Sequence, residues 1–290
     1  MKIIIANHLQ RARKTPSLKF VSAAVSLLLG AFCIASSALA SPILGADLAS
    51  FAVLGASGVT NVPVSTIGGN VGSAPNASAG GGYVFTSGSL QENTALAQRA
   101  QLDLDAAIVT LSAFGVGTTI SGGNLDAWQS LNGGVVAPGT YTVSAAMTNL
   151  AGNLILDGGG SNAAVWVFQF PSTLTTSTTS NVLVQNVGDG AHVGLYWNVH
   201  SAATLNGATF AGNVLAHDLI SSNGGLTINC GRLLSATAQV TLVQDHVSMT
   251  GCAGNNGGFD QAGTGVPEPA SLALLATGLV ALAFAFRQRP

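Results

Sequence analysis

The 290-residue chain is poor in charge and rich in glycine: 7% of its residues are charged, against about 25% in an average globular protein, and 37 are glycine. Between residues 41 and 265, two arginines and ten acidic residues give a formal charge of 2 − 10 = −8, with no lysine. This composition excludes nucleic-acid binding and a phosphate-transfer site, because both need clustered basic side chains.

The N-terminal 40 residues carry the pattern of an export signal. Residues 2–19 are basic, residues 20–34 form a short apolar run, and Ala38, Leu39 and Ala40 supply a small-x-small cleavage pattern. We therefore predict a signal peptide over residues 1–40 that is cut between Ala40 and Ser41. A transmembrane anchor is the disfavoured alternative, because the apolar run has about 15 residues and a spanning helix needs about 20.

One segment has the apolar spacing of a helix. Its apolar side chains recur at intervals of three and four, at Leu96, Ala100, Leu104, Ala107, Ile108 and Leu111. Ser89 and Glu92 have the spacing of a capping box, and Gly115 would end the helix. We predict a helix over about residues 90–114 whose apolar stripe packs along a large apolar surface.

Most of the remaining domain consists of short alternating runs separated by glycine-rich turns, which is typical of strands. Thr–Leu or Leu–Thr phrases recur, with leucines spaced 24, 31, 21 and 16 residues apart, at Leu150, Leu174, Leu205, Leu226 and Leu242. This uneven spacing predicts a mainly β fold, an irregular β-solenoid whose coils turn the leucine inward. Because strand side chains alternate, the neighbouring threonines would form ranks on the outside.

Two cysteines, Cys230 and Cys252, remain after Cys33 is removed with the signal peptide. Exported proteins commonly pair their cysteines. We therefore predict a Cys230–Cys252 disulfide, worth about 3 kcal/mol in the chain-entropy model. No histidine pair or Cys-x-x-Cys spacing accompanies them, so we expect no metal and no other cofactor.

The C-terminal segment combines a proline-rich hinge, an apolar run and a basic stop. Pro267, Glu268 and Pro269 precede the apolar residues 272–286, which end at Arg287 and Arg289. This order resembles the PEP-CTERM sorting signal of Gram-negative bacteria. The resemblance implies a short transmembrane helix within residues 266–290, transient anchoring in the inner membrane, cleavage by sorting machinery and release towards the cell surface. An ordinary anchor that is never cut is the alternative.

A set of phrases in order along residues 46–249 carries a second resemblance. They include Phe51-Ala-Val-Leu54, Ile67-Gly-Gly-Asn-Val71, Gly139-Thr-Tyr141, Leu154-Ile-Leu-Asp157, Val199-His-Ser-Ala-Ala-Thr-Leu205, Phe210-Ala-Gly-Asn-Val-Leu-Ala216 and Gly231-Arg232-Leu-Leu-Ser235. Together they resemble the microbial ice-binding (antifreeze) protein family. The resemblance implies a discontinuous right-handed β-solenoid of roughly triangular section over residues 41–265, with one long α-helix alongside. It also implies a structural role for Arg232.

The same resemblance implies adsorption to ice by an exported monomer. A surface that docks on ice should be flat, rigid and weakly charged, and threonine is stiff at χ1 because it is β-branched. The candidate ice-binding residues are Thr173, Thr175, Thr204, Thr227 and Thr241. The alternative is an adhesin of the cell surface or extracellular matrix that uses the same scaffold as a rigid spacer.

A polysaccharide-active enzyme is the third hypothesis, because such scaffolds also carry enzymes. Glycoside hydrolysis needs two carboxylates facing one bond, and the candidates are Asp157, Asp189, Asp218 and Asp245. Asp218 and Asp245 each adjoin a histidine, His217 and His246, but neighbours along a strand point to opposite faces. We therefore expect no catalytic pair and no enzyme.

Overall fold

The computed structural model describes residues 43–190 and 192–250. The predicted signal peptide, the Ala40–Ser41 cleavage site, Cys252 and the sorting segment 266–290 lie outside the described residues. Among the helices that are described, none is long and apolar enough to cross a membrane.

Short strands dominate the described residues. The helical elements there are a single 3-10 turn (Leu48–Ser50), α1 (Ala95–Ser112) and α2 (Leu125–Leu131). The strands are β1 (Phe51–Gly55), β2 (Gly58–Val62), β3 (Ser65–Gly68), β4 (Asn70–Ser73), β5 (Tyr83–Ser87), β6 (Leu90–Glu92), β7 (Thr118–Ile120), β8 (Gly139–Val143), β9 (Asn153–Asp157), β10 (Val165–Phe170), β11 (Leu174–Thr175), β12 (Asn181–Gln185), β13 (Gly194–Val199), β14 (Ala203–Leu205), β15 (Thr209–Ala216), β16 (Ile220–Ser222), β17 (Thr227–Ser235), β18 (Gln239–Val243) and β19 (His246–Ser248). The prediction of a mainly β fold is confirmed.

The strands pair in parallel and form three arrays. The helix-side array has the order β6-β4-β1-β17-β15-β13-β10-β8-β7, the threonine array the order β11-β14-β16-β18-β2, and the mixed array the order β9-β12-β15-β17-β19-β3-β5. From β10 to β19, and again over β1–β3, the chain passes the helix-side, threonine and mixed arrays in that sequence. The long strands β15 and β17 bend at Gly212 and at Cys230–Gly231, and therefore belong to two arrays each.

The main core lies between the three arrays. Its centre is a ladder of aromatic rings, in which the centroids of Phe168 and Trp197 lie 4.5 Å apart and those of Trp197 and Phe210 lie 4.8 Å apart. The indole Nε1 of Trp197 donates to the carbonyl of Ala211 at 2.9 Å. Ring pairs of this kind add about 0.5–1.5 kcal/mol each beyond their area. The leucines of the Thr–Leu phrases are all buried in this core, as the alternation predicts.

Helix α1 covers the outer side of the helix-side array. Its stripe of Ala97, Ala100, Leu104, Ala107 and Leu111 is buried against Leu54, Val167, Tyr196, Leu215 and Leu234. The central strands of this array, such as β1 and β13, are therefore buried on both sides, which explains their continuous apolar runs. The predicted helix is confirmed, and it connects the two ends of the array, because it follows β6 and precedes β7.

The predicted start of this helix is wrong. Leu90–Glu92 pairs with β4 as strand β6, and the helix starts only at Ala95. Thr94 is the N-cap, accepting from the backbone N–H of Ala97 at 3.2 Å. Glu92 accepts instead from the N–H of Ala79 at 2.9 Å, so the predicted capping box does not form. The helix ends at Ser112, within two residues of the predicted end, and Gly115 follows it with a positive φ, as expected of a stop.

The second helix, α2, escaped the sequence analysis. Asn124 caps it by accepting from the N–H of Ala127 at 2.7 Å, and Asp126 lies in its first turn. Leu125 is buried and Trp128 packs against the core. With only two turns, the helix has too short an apolar pattern to stand out from strands.

The stack is discontinuous in sequence. Strands β1, β2 and β3 pair with β17, β18 and β19, so the first strands of the described chain sit on the last ones. Arg232 of β17 stabilises the contact between the last strands and the first ones. It is fully buried, donates to Oδ1 of Asn213 at 2.8 Å and donates to the carbonyl of Ala49 at 2.7 Å. The predicted structural role of Arg232 is confirmed.

Replacing Arg232 by alanine should destabilise the fold, because it removes these buried hydrogen bonds and leaves a cavity. We expect a loss of about 3 kcal/mol in the free energy of unfolding, measured by urea denaturation. Arg99→Ala is the matched control: Arg99 is exposed and bonds Asp47 at 2.7 Å, so its loss should matter much less. Equal losses in the two variants would contradict the assigned role.

Candidate binding face

The threonine array carries a central row of hydroxyl side chains on its outer side. Strand pairing places the members in register, in the order Thr175, Thr204, Ser221, Thr241 and Thr60. All five are partly or fully exposed. Since neighbouring strands lie about 4.7–4.9 Å apart, the row presents a methyl or hydroxyl group at each repeat of that distance.

The row is held rigidly from below. Each member is preceded in its strand by a buried apolar residue with 1% exposure or less, namely Leu174, Ala203, Ile220, Val240 and Val59. At one end, the hydroxyl of Thr60 donates to Oγ1 of Thr241 at 2.9 Å. Threonine has restricted χ1 on a strand, so the groups of the row have little freedom to lose on binding.

Charge is absent from the strands of this array: their sequences contain no Asp, Glu, Lys, Arg or His. One flank of the central row is formed by Asn206, Asn223, Val243 and Val62. The side-chain amides of Asn206 and Asn223 bond each other, and Val62 is half exposed. The surface therefore combines methyl groups with hydroxyls and amides that are weakly hydrated compared with ions.

Asp218 fastens successive turns at one edge of the threonine array, just before β16. Its carboxylate accepts from the Ser201 hydroxyl at 3.1 Å and from the Thr237 hydroxyl at 3.3 Å, which belong to the preceding and following turns. Nδ1 of His217 lies 2.9 Å from the same carboxylate. The hydrogen bond with His217, supported by those from Ser201 and Thr237, holds the pKa of Asp218 below its ordinary value.

Asp245 fastens the opposite edge, just after β18. Its carboxylate accepts from the Ser222 hydroxyl and from the backbone N–H groups of Leu226 and Val243, both at 3.0 Å. Its own N–H donates to the Ser65 hydroxyl of the next turn at 3.0 Å. Asp245 is buried, and burial raises its pKa above the ordinary value, although the three accepted hydrogen bonds oppose that rise.

The structure places three of the predicted threonines in the central row: Thr175, Thr204 and Thr241. Thr173 lies just before β11 and is half-buried. Thr227 is on the mixed array, paired with Thr209 and His246, so its predicted place beside the others is wrong. The uneven turn lengths put the phrase Leu226-Thr227 on a different array from the earlier phrases.

Two members of the row, Thr60 and Ser221, escaped the sequence analysis. Thr60 follows buried Val59 and Ser221 follows buried Ile220, in the same alternation that marks the other members. That alternation was a usable signal. Placing Thr60 in the row also requires the pairing of β2 with β18, which brings Thr60 beside Thr241 although the two are 181 positions apart in sequence.

The candidate catalytic carboxylates are engaged in structural bonds. Asp157 accepts from the N–H of Gly159 at 2.8 Å, and from the side chains of Gln185 and Asn186, while Asp189 lies in the turn after β12. The expectation that His217 and Asp218 point apart is wrong, because they lie in a turn. Within residues 43–190 and 192–250, no three His, Cys, Asp or Glu side chains are grouped to hold a metal.

The structure describes only one of the two cysteines of the predicted disulfide. Cys230 is almost fully buried in the bend of β17 and is disulfide-bonded. Since Cys252 lies outside the described residues, the pairing of Cys230 with Cys252 stays a prediction.

The two carboxylates give opposite pH dependences. The native state binds the proton of Asp245 more tightly than the unfolded state, so the stability difference between wild type and Asp245→Asn should fall as the pH rises above 3.8, through the raised pKa. For Asp218→Asn the difference should instead shrink as the pH falls below 3.8, through the lowered pKa. Urea unfolding at a series of pH values measures both, and slopes of the same sign would contradict the assignment.

Comparison with known protein families supplies two matches. The family model described as ice-binding-like matches residues 53–248, and the PEP-CTERM protein-sorting motif matches residues 265–289. An ice-binding protein of Nostoc sp. (strain HG1) is 37% identical over 242 residues, covering 82% of this chain and 84% of its own. An ice-binding protein of Colwellia sp is 28% identical and covers 70% and 81%.

Solved structures give the same picture. A crystal structure of an ice binding protein from an Antarctic biological consortium is 31% identical, with a TM-score of 0.61 over 72% of this chain and 91% of that chain. The ice-binding protein of the Antarctic ascomycete Antarctomyces psychrotrophicus is 30% identical, with a TM-score of 0.58 over 71% and 97%.

Proposed function

We propose that this chain, which belongs to the ice-binding-like family, adsorbs to ice through its threonine array and thereby inhibits ice growth or recrystallisation. The observation that carries the proposal is the in-register row of Thr and Ser on an uncharged, parallel array. The proposal also draws on the Nostoc relative, which is itself named an ice-binding protein. It involves no catalysis and no cofactor.

The physical argument rests on order and hydration. Ice is a rigid lattice of water, so its surface is matched best by groups that repeat regularly and hold still. Backbone pairing fixes the spacing of the row, β-branching fixes its side chains, and a preorganised surface has little conformational entropy to lose on docking. Charged side chains, which hold water in their own geometry, are absent from the five strands.

The scaffold interpretation belongs to the same proposal. We take the stacked turns as an irregular, discontinuous β-solenoid, right-handed and roughly triangular in section, with α1 along one side. The supporting observation is that successive turns pair in parallel in three arrays. Parallel strands linked by right-handed connections are the general rule.

The place of action follows from the sorting motif. We propose export by a signal peptide over residues 1–40, transient anchoring in the inner membrane through residues 266–290, and passage to the cell surface or medium as a monomer. The match to the PEP-CTERM motif supports this route and implies sorting machinery as a partner. The same match favours the second candidate function, a cell-surface or matrix adhesin, in which the scaffold would be a rigid spacer.

The row can be tested with a matched pair of threonines. Thr241→Gln puts a longer, mobile side chain in the central row, so the concentration needed to inhibit ice recrystallisation should rise about tenfold, equivalent to about 1.4 kcal/mol. Thr227→Gln makes the same change on the mixed array and should leave the activity unaltered. If the two variants lose activity equally while both stay folded, the threonine array is not the binding face. Wild-type protein without effect on ice would favour the adhesin.

The one serine of the row offers a gain of activity. Ser221 lies between Thr204 and Thr241 in register, and Ser221→Thr adds the missing methyl group and a stiffer χ1. Because one buried methyl group is worth about 0.8 kcal/mol, we expect about a fourfold lower inhibitory concentration in the same assay. Ser248→Thr on the mixed array is the control and should change nothing; an equal gain there would contradict the role of the row.

A further inference from the structure

Two histidines lie side by side at the edge where the helix-side array passes into the threonine array. Strands β13 and β15 pair with Val199 beside Ala216, and His200 and His217 are the residues that follow them. The backbone N–H of His217 donates to the carbonyl of Val199 at 2.9 Å. The centroids of the two imidazole rings are 6.5 Å apart, and the rings are inclined at 24°. Imidazoles from two successive turns therefore share one small area of the surface.

Asp218 fixes how His217 presents its ring. Nδ1 of His217 lies 2.9 Å from Oδ1 of the Asp218 carboxylate. Because an ionised carboxylate can only accept, this bond places the ring hydrogen on Nδ1 and leaves the lone pair on Nε2. The carboxylate is itself held by the hydroxyls of Ser201 and Thr237, and the His217 side chain is 55% exposed. The outer nitrogen of His217 is therefore an oriented electron-pair donor that is open to solvent.

This arrangement is the one that metal-binding histidines use, because a carboxylate on the second ring nitrogen orients the imidazole and makes it more basic. Two nitrogens on one ion lie at most about 4.2 Å apart, which is twice the length of a Zn–N bond. Rings with centroids 6.5 Å apart meet this limit when each turns a nitrogen toward the other. Both His200 and His217 are exposed, so their side chains can rotate between rotamers to do so.

A groove beside His200 has room for the remaining ligands of an ion. Its volume is about 230 Å³, and its lining includes Gln169 and Asn198. Asn198 is only 4% exposed, and its Nδ2 donates to Oγ of Ser112 at 3.1 Å and to Oε1 of Gln169 at 2.7 Å. Its Oδ1 accepts no hydrogen bond from any residue that the structure describes. A metal-bound water in this groove would find that acceptor.

The charges around the histidine pair favour a cation. The Asp218 carboxylate adjoins His217. Helix α1 ends at Ser112, which is bonded to Asn198 at the groove, and the C-terminal end of a helix carries a partial negative charge. The two arginines of residues 41–265 are engaged elsewhere, since Arg99 pairs with a carboxylate at the other end of α1 and Arg232 bonds across the break in the stack.

We propose that His200 and His217 bind one divalent ion of the Cu²⁺, Ni²⁺ or Zn²⁺ class as a pair of imidazole ligands, with water in the remaining positions. Ions of this class suit imidazole, whereas Mg²⁺ and Ca²⁺ suit oxygen ligands. The bound ion links the turn that leads into β14 with the turn that leads into β16, the strands of Thr204 and Ser221. The site is separate from the proposed ice binding, and neither depends on the other.

The first test is calorimetric titration of Zn²⁺ into the full-length chain, made without a polyhistidine tag. His200→Gln and His217→Gln should each raise the Kd for Zn²⁺ by at least about tenfold, the smallest loss expected when a supporting partner of a ligand is removed. His246→Gln is the matched control, because His246 is also exposed but has Thr227 and Thr66 beside it in register. The proposal is wrong if either of the first two variants keeps the wild-type Kd, or if the control loses as much.

A second measurement counts the ligands. The electron paramagnetic resonance spectrum of the Cu²⁺-loaded chain should show coupling to two imidazole nitrogens in wild type and to one in either single variant. Because an ion that binds only the folded state stabilises it, Zn²⁺ should raise the urea midpoint of wild type relative to the same protein in EDTA, and raise it much less in the variants. A single coupled nitrogen in wild type, or an equal rise in the variants, would overturn the proposal.

Discussion

Hydrogen bonding between parallel strands in a fixed register is the constraint on which the rest of this protein depends. Register decides which side chains share a row, and a slip of one residue would turn every outward side chain inward. The same pairing that stacks Phe168 on Trp197 in the core places Thr204 beside Ser221 on the surface. A shift in register would therefore displace the rings of the core and the row on the surface together.

Polar side chains that bond across neighbouring turns hold this register where the turns are irregular. Asp218 and Asp245 each bond side chains or backbone groups of neighbouring turns at the edges of the threonine array. Arg232 does so across the break between the last and first strands. Asp245 and Arg232 are buried, and a buried polar group is costly unless it is bonded, so these two favour one alignment of the turns. These three charged side chains therefore hold neighbouring turns together, whereas the strands of the threonine array contain no charged side chain.

Sequence reasoning reached the features that depend on local periodicity. The stripe around Leu104 identified α1, and alternation around Leu174 and Leu242 identified buried positions on strands. It failed where the answer depended on pairing between distant turns: Thr227 carried the right local phrase on the wrong array, and Thr60 was missed because its neighbour Thr241 is 181 positions away. Local signals also misled at Ser89 and Glu92, where pairing of β6 with β4 prevailed over a capping box. The contact of His217 with Asp218 was missed because the two residues lie in a turn, where neighbouring side chains need not point to opposite sides as they do on a strand.

The seating of β1–β3 on β17–β19 has a consequence for the order of folding. The ribosome makes the strands that complete the stack first, but their partners come almost last, so the final layer of the threonine array cannot form on a partly made chain. Contacts between such distant segments form slowly, because a long loop must close first. A nascent chain that cannot close early stays unfolded for longer, which suits the export across a membrane that we propose for this protein.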